Sequence, residues 1–184
     1  MKPGLHLHGW GNLVGFQLVW IASVAGAAAG MWWAGPACLV LFAVLQGALG
    51  PDGRRDLRLL GLCVLIGLVV DTVWIRAGLM RFAAPVPFPG LAPVWILAMW
   101  AGFGLTLRHS LAVLQGRPWL AALLGLAGGP AAYLAAERAW GAVAIAEGPL
   151  PWVGLALAWA ALTPLLLELA RDRPDAAGTA ESGR

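Results

Sequence analysis

Residues 57–75 read LRLLGLCVLIGLVVDTVWI, an apolar run of membrane-spanning length that nevertheless carries a carboxylate, Asp71. A transmembrane helix needs about 20 mostly apolar residues. An ionisable group inside one is costly to keep, so it faces the protein interior and marks a candidate site. At 1.5 Å per residue Asp71 lies about 21 Å along this segment from Leu57, nearer its far end than its start.

The rest of the chain agrees with that reading. Of 184 residues, 60% are hydrophobic and only 11% charged, and the mean hydropathy is +0.78. Soluble domains carry about 25% charged residues. The apolar runs are continuous and rich in Leu, Ala and Gly, which favours helices over the alternating strands of a barrel. The expected fold is therefore all-α: a polytopic membrane domain over residues 1–170, with a polar, Pro-broken and disordered tail at 171–184. Six spans are expected at about 10–30, 32–49, 57–77, 90–107, 118–137 and 151–170. Gly35-Pro36, Gly50-Pro51-Asp52-Gly53, the Pro85 to Pro89 run and Gly148-Pro149 punctuate them.

Lys2, Arg54, Arg55, Arg58, Arg108, Arg117, Arg171, Arg173 and Arg184 fall on one side of that topology, against Arg76, Arg81 and Arg138 on the other. Nine against three puts both termini in the cytoplasm by the positive-inside rule. The formal charge of +3 is thus a topology signal, and no nucleic-acid partner is expected. Eight of the 11 tryptophans, Trp95 among them, fall near the expected span ends as interfacial indoles, leaving Trp20, Trp100 and Trp159 inside. Lys2 ahead of an apolar stretch with Ala25-Gly26-Ala27 also fits a signal peptide, but Asn12 and Gln17 suit a packed membrane helix better. Cys38 and Cys63 lie on different spans at opposite depths and are expected to remain unpaired.

Two polar constellations follow. In the outer half, Asp71 is expected near Tyr133 and Glu137, with Arg76 or Arg138 as counter-ion. Asp71 and Arg76 diverge by about 140° around their helix and Glu137 and Arg138 by about 100°, so the partners of these charges are expected on other helices. This group is either a ligand site or a buried ion pair that fixes helix register. Toward the cytoplasm, Asn12 and Gln17 at the start of the first span form a group with Thr106, Arg108, His109 and Ser110 at the end of the fourth, where Trp95, Met99, Gly102, Thr106 and His109 share a helical face. Such mixed small and polar faces also serve plain helix packing. On the fifth span, Gly125 to Pro130 is expected to kink or break the helix. His6 and His8 on a floppy terminus lack the ligand number and geometry of a metal site, and no cofactor is implied. No base is arranged beside Ser23, Ser110 or Thr163 for nucleophilic catalysis, so the reading leans away from an enzyme.

Asn12 with Gln17 and Trp20, Gly67-Leu68-Val69-Val70-Asp71, Ala92-Pro93-Val94-Trp95 through Trp100 to His109-Ser110-Leu111, and Gly128-Gly129-Pro130 with Tyr133 together resemble a bacterial membrane-protein family, domain of unknown function 2878. The resemblance covers about residues 10–165. It implies a small multi-pass inner-membrane protein and supplies no catalytic residues. Architecturally the chain is also similar to the substrate-binding components of energy-coupling vitamin transporters, whose first helix uses small residues to contact the transport module, as Ala25 with Ala29 or Gly26 with Gly30 would here. The expected function is binding or handling of a lipid or small amphiphile at Asp71, Arg76, Tyr133, Glu137 and Arg138, with Asn12 and His109 as a second group. A transport subunit and a lipid-modifying membrane enzyme are the alternatives. Expected partners are membrane lipids, a small amphiphilic ligand, and a membrane-protein partner or a second copy of the chain.

Overall fold

The computed structural model describes residues 4–49 and 53–171, with side chains over 9–47 and 53–171. The tail and the two amino-terminal histidine side chains lie outside those described residues. Six α-helices are present among them: α1 (Gly4–Ala28), α2 (Ala34–Leu49), α3 (Gly53–Arg76), α4 (Val94–Gly104), α5 (Pro118–Trp140) and α6 (Pro149–Ala170). Within α1, Gly9–Ala28 is long and apolar enough to cross a membrane, as are α3, α5 and α6; α2 and α4 are shorter apolar helices. The chain is a helical membrane protein. Its outward faces carry the apolar side chains that a lipid solvent requires, among them Leu65, Val69 and Val73 of α3 and Leu157 and Leu165 of α6.

Two three-residue strands were not foreseen. β1 (Met80–Phe82) follows α3 and β2 (Val143–Ile145) follows α5, and they pair antiparallel with Arg81 opposite Ala144. Ala83 N–H to Ala142 O at 2.8 Å and Ala146 N–H to Leu79 O at 2.9 Å extend the ribbon. It ties together the two loops at one end of the bundle.

The fourth helix is shorter than the sequence suggests, and two side-chain bonds account for its early end. Asn12 Nδ2 of α1 donates to the Leu105 carbonyl at 2.9 Å, taking the acceptor that a continuing helix would offer to the N–H of His109. Thr106 Oγ1 bonds back to the Phe103 carbonyl at 2.6 Å, and the His109 N–H goes to Thr106 O instead. The chain then runs through turns to a short 3₁₀ turn, Ala112–Leu114. Leu105, Thr106 and Leu107 are buried, so this irregular backbone is enclosed by protein. His109 therefore leaves the helical face assigned to it with Trp95, Met99, Gly102 and Thr106. Trp95 is corrected as well: it is fully buried and donates Nε1–H to Ala83 O at 2.8 Å, so it is no interfacial indole.

Glycines set the helix contacts. A Cβ at Gly67 of α3 would overlap the Trp100 ring of α4, and one at Gly129 of α5 would overlap the Trp159 ring of α6. α5 runs unbroken through Pro130. The helix is thus not broken between Gly125 and Pro130, and Gly125 and Gly129 make room there for a close crossing with α6. Trp100 and Trp159, each seated over its glycine, stack on one another with centroids 4.7 Å apart and planes 13° from parallel. That stack and the Tyr133–Asp71 hydrogen bond join the α5–α6 hairpin to the remaining helices. Gly26, proposed as part of a surface docking motif, packs against Ala34 and the Met31 carbonyl within the chain, and Gly30 lies beyond the end of α1 with φ +76°.

Candidate functional site

Asp71 is completely buried. Both carboxylate oxygens are engaged by neutral donors: Trp100 Nε1–H at 2.6 Å on Oδ2 and Tyr133 O–H at 2.5 Å on Oδ1. The expected counter-ion is not there. Arg76 turns to the Gly90 carbonyl at 2.9 Å, and Arg138 Nε lies 3.7 Å from Glu137 Oε2 on its own helix. The partners of Glu137 and Arg138 were expected on other helices, but adjacency suffices because both side chains reach past the end of the helix. Glu137 Oε1 also accepts the Ile145 N–H of β2 at 2.9 Å. Glu137 and Arg138 line a hollow of about 400 Å³ beside the ribbon with Glu147 and Trp152, apart from Asp71. The outer group thus divides into a buried Asp71–Trp100–Tyr133 triad and a surface pair.

At the opposite end, Asn12 is saturated. Besides Leu105 O, its Nδ2 reaches Gln46 Oε1 at 3.2 Å, and its Oδ1 accepts from Ser110 Oγ at 2.7 Å and Ser110 N at 3.3 Å. One amide therefore ties α1 to α2 and to the segment after α4. His109 Nε2 lies 2.8 Å from Asp56 Oδ2, and Arg108 Nη1 lies 3.3 Å from Asp56 Oδ1. Asp56 was missed by the sequence reading, which weighed only the basic residues of the loop before α3. Its signal was there, as the one acid among Arg54, Arg55 and Arg58. Ser110 Oγ is bonded to Asn12, so Ser110, His109 and Asp56 do not form a nucleophilic relay. No three His, Cys, Asp or Glu side chains group to hold a metal ion among the described residues.

Between these polar ends lies a cavity of about 480 Å³. α1 contributes Phe16, Gln17 and Trp20, α4 contributes Met99, Trp100 and Phe103, α5 contributes Gly125, Gly128, Gly129 and Tyr133, and α6 contributes Trp159 and Thr163. It reaches from Thr106 and Ser110 at the Asn12 end to Val143 at the ribbon end. Gln17, Leu124 and Gly128 are exposed, so the cavity opens sideways between α1 and α5. Phe103 packs edge-on to Trp159 at 5.5 Å and 89°, and Phe16 lies 6.3 Å from Phe103, which makes the wall largely aromatic. Trp159 Nε1 and Thr163 Oγ1 are buried beside it without a hydrogen-bond partner.

Asp71 does not line this space; it stands behind two residues that do, Trp100 and Tyr133. Of the other expected site residues, Asn12 and His109 also lie outside the wall, and Asn12 reaches it through Ser110. Sequence reading did not single out the cavity's position, because a wall of Phe, Trp, Gly and Met has the composition of ordinary helix packing.

A family model described as Protein of unknown function (DUF2878) matches residues 9–165. No curated protein and no solved structure matches the chain.

Proposed function

The chain belongs to that family of unknown function, and from this premise we propose that it is a six-span bacterial inner-membrane protein that binds a lipid or similar small amphiphile in the cavity between α1, α4, α5 and α6. The observation that carries the reading is the cavity itself. Its volume of about 480 Å³ falls in the 300–1,000 Å³ range of ligand pockets, its wall is apolar and aromatic, and its exposed lining residues belong to α1 and α5, two helices long and apolar enough to cross a membrane. The energetic source of binding is contact with a fitted wall, because transfer from lipid tails to an apolar pocket carries little hydrophobic gain.

Both termini are assigned to the cytoplasm, with α4 completing its crossing through the buried turn at Leu105, Thr106 and Leu107. The nine-to-three distribution of basic residues supports this. So does the ribbon, since it holds the α3–α4 and α5–α6 loops together, and two crossings between them return the chain to one side.

The test is to purify the protein in membrane nanodiscs, extract lipids and quantify them by mass spectrometry against the bulk membrane. Wild type should retain one lipid species in excess. Gly128→Leu, at an exposed position on the cavity wall where a Cβ meets only a Leu124 methyl at 3.9 Å, should lose it. No enrichment in the wild type, or equal enrichment in the variant, would overturn the reading.

A further inference from the structure

Gln17 is a polar residue for which the fold supplies no partner. It stands near the middle of α1, and its amide makes no hydrogen bond among the described residues. It is exposed on the rim of the cavity. A primary amide offers two N–H donors and a carbonyl acceptor, and leaving these unpaired in hydrocarbon is costly, whereas Leu there would cost nothing. Asn12, five residues earlier, shows the contrast: every polar atom of its amide is engaged by protein. The partner for Gln17 is therefore sought in what enters the cavity.

The wall states what else that partner must be. None of the lining side chains is charged. A carboxylate or phosphate inside would be desolvated without compensation, so the polar part of the occupant is neutral. Phe16, Trp20, Trp100, Phe103, Tyr133 and Trp159 surround one space. Of their contacts, Trp100 with Trp159 is stacked and Phe103 with Trp159 is edge-to-face, arrangements that aromatic rings prefer, while Phe16 is tilted against Phe103, with centroids 4.7 to 6.3 Å apart. A flat conjugated ring extends that pattern; a saturated chain makes no use of it.

Resting on the proposed lipid site, we infer that the occupant is a lipid-soluble quinone. Its uncharged ring lies among the aromatic side chains, one ring carbonyl accepts a hydrogen bond from Gln17 Nε2, and its apolar tail leaves through the opening between α1 and α5. The assignment is of binding alone, and no electron transfer is part of it.

The experiment presents the purified full-length protein with equal concentrations of decylubiquinone, 1-decanol and decanoate, removes free ligand by gel filtration and quantifies what is retained. Wild type should retain the quinone at least about tenfold above the other two, the scale of one neutral hydrogen bond with added ring contact. Gln17→Leu should bring quinone retention down about tenfold, with the melting temperature unchanged. Equal retention of all three overturns the quinone assignment and leaves the lipid site standing. Selective quinone retention that survives Gln17→Leu also overturns the assignment, because the recognising contact is then wrong. Retention of none overturns both.

Discussion

Asp71 shows how a residue can be conspicuous in a sequence and still act through its neighbours. In an apolar span a carboxylate invites a search for arginine, yet here the two oxygens are met by an indole N–H and a phenol O–H. These donors are neutral and rigid, and both belong to the cavity wall. Asp71 thus anchors Trp100 and Tyr133 by hydrogen bonds, and in the proposed site it would position them. Tyr133 was legible as its companion from depth along α5; Trp100 was visible only as an indole inside a span, although a buried indole N–H needs an acceptor. Asp71→Ala orphans two buried donors and should lower stability by about 2–4 kcal/mol, whereas Tyr133→Phe removes one bond and should cost about 1 kcal/mol. Denaturant titration of the protein in mild detergent measures both. If Asp71→Asn left stability intact and abolished only lipid retention, a direct ligand contact would replace the positioning role. Asn12→Ala, which removes the tie between α1, α2 and the turn after α4, should cost about 2–3 kcal/mol in the same titration.

At the scale of helices, glycine spacing was read from the sequence and its purpose was not. Gly125, Gly128, Gly129 and Pro130 together suggest weakness in a helix. In the fold they divide by face. Gly125 and Gly129 are buried under α6, while Gly128, one residue away, faces the cavity mouth and meets only a distant Leu124 methyl. Composition alone does not distinguish a glycine that yields to an indole from one that faces open space; the difference lies in which residue the opposite helix presents. Gly129→Ala should therefore lower stability by about 1–3 kcal/mol through overpacking against Trp159. Gly128→Ala should be neutral or stabilise by up to about 1 kcal/mol, since Ala is the better helix former. Matched thermal unfolding of the two variants checks this, and equal losses would show that helix flexibility, not packing, is what these glycines supply. The same limit explains α4. Its helical face extended on paper to His109, but a side chain 93 positions away in sequence, Asn12, captured the carbonyl that decides where the helix ends.

For the whole molecule, hydropathy and charge asymmetry were enough to mark apolar helices in series, but not the ribbon that links two loops, because MRF and VAI are too short to show an alternating pattern. That ribbon now gives the topology a direct test. Arg81 and Ala144 are exposed and face one another across β1 and β2. Opposed residues of an antiparallel pair sit about 4.5–5.5 Å apart at Cα, within the 4.4–6.8 Å that a disulfide spans. If both termini are cytoplasmic, the ribbon lies on the opposite, oxidising side of the inner membrane, where disulfides form and persist. The pair Arg81→Cys with Ala144→Cys, in a background with Cys38 and Cys63 changed to Ala, should therefore close spontaneously during expression in bacterial cells. Closure is read as a reductant-sensitive gain in mobility on a denaturing gel. A ribbon pair that stays reduced in cells but closes when the purified protein is oxidised would reverse the orientation. Closure during expression would place the cavity's Val143 end toward the periplasm and its Ser110 end toward the cytoplasm, so that an occupant entering between α1 and α5 comes from the middle of the bilayer.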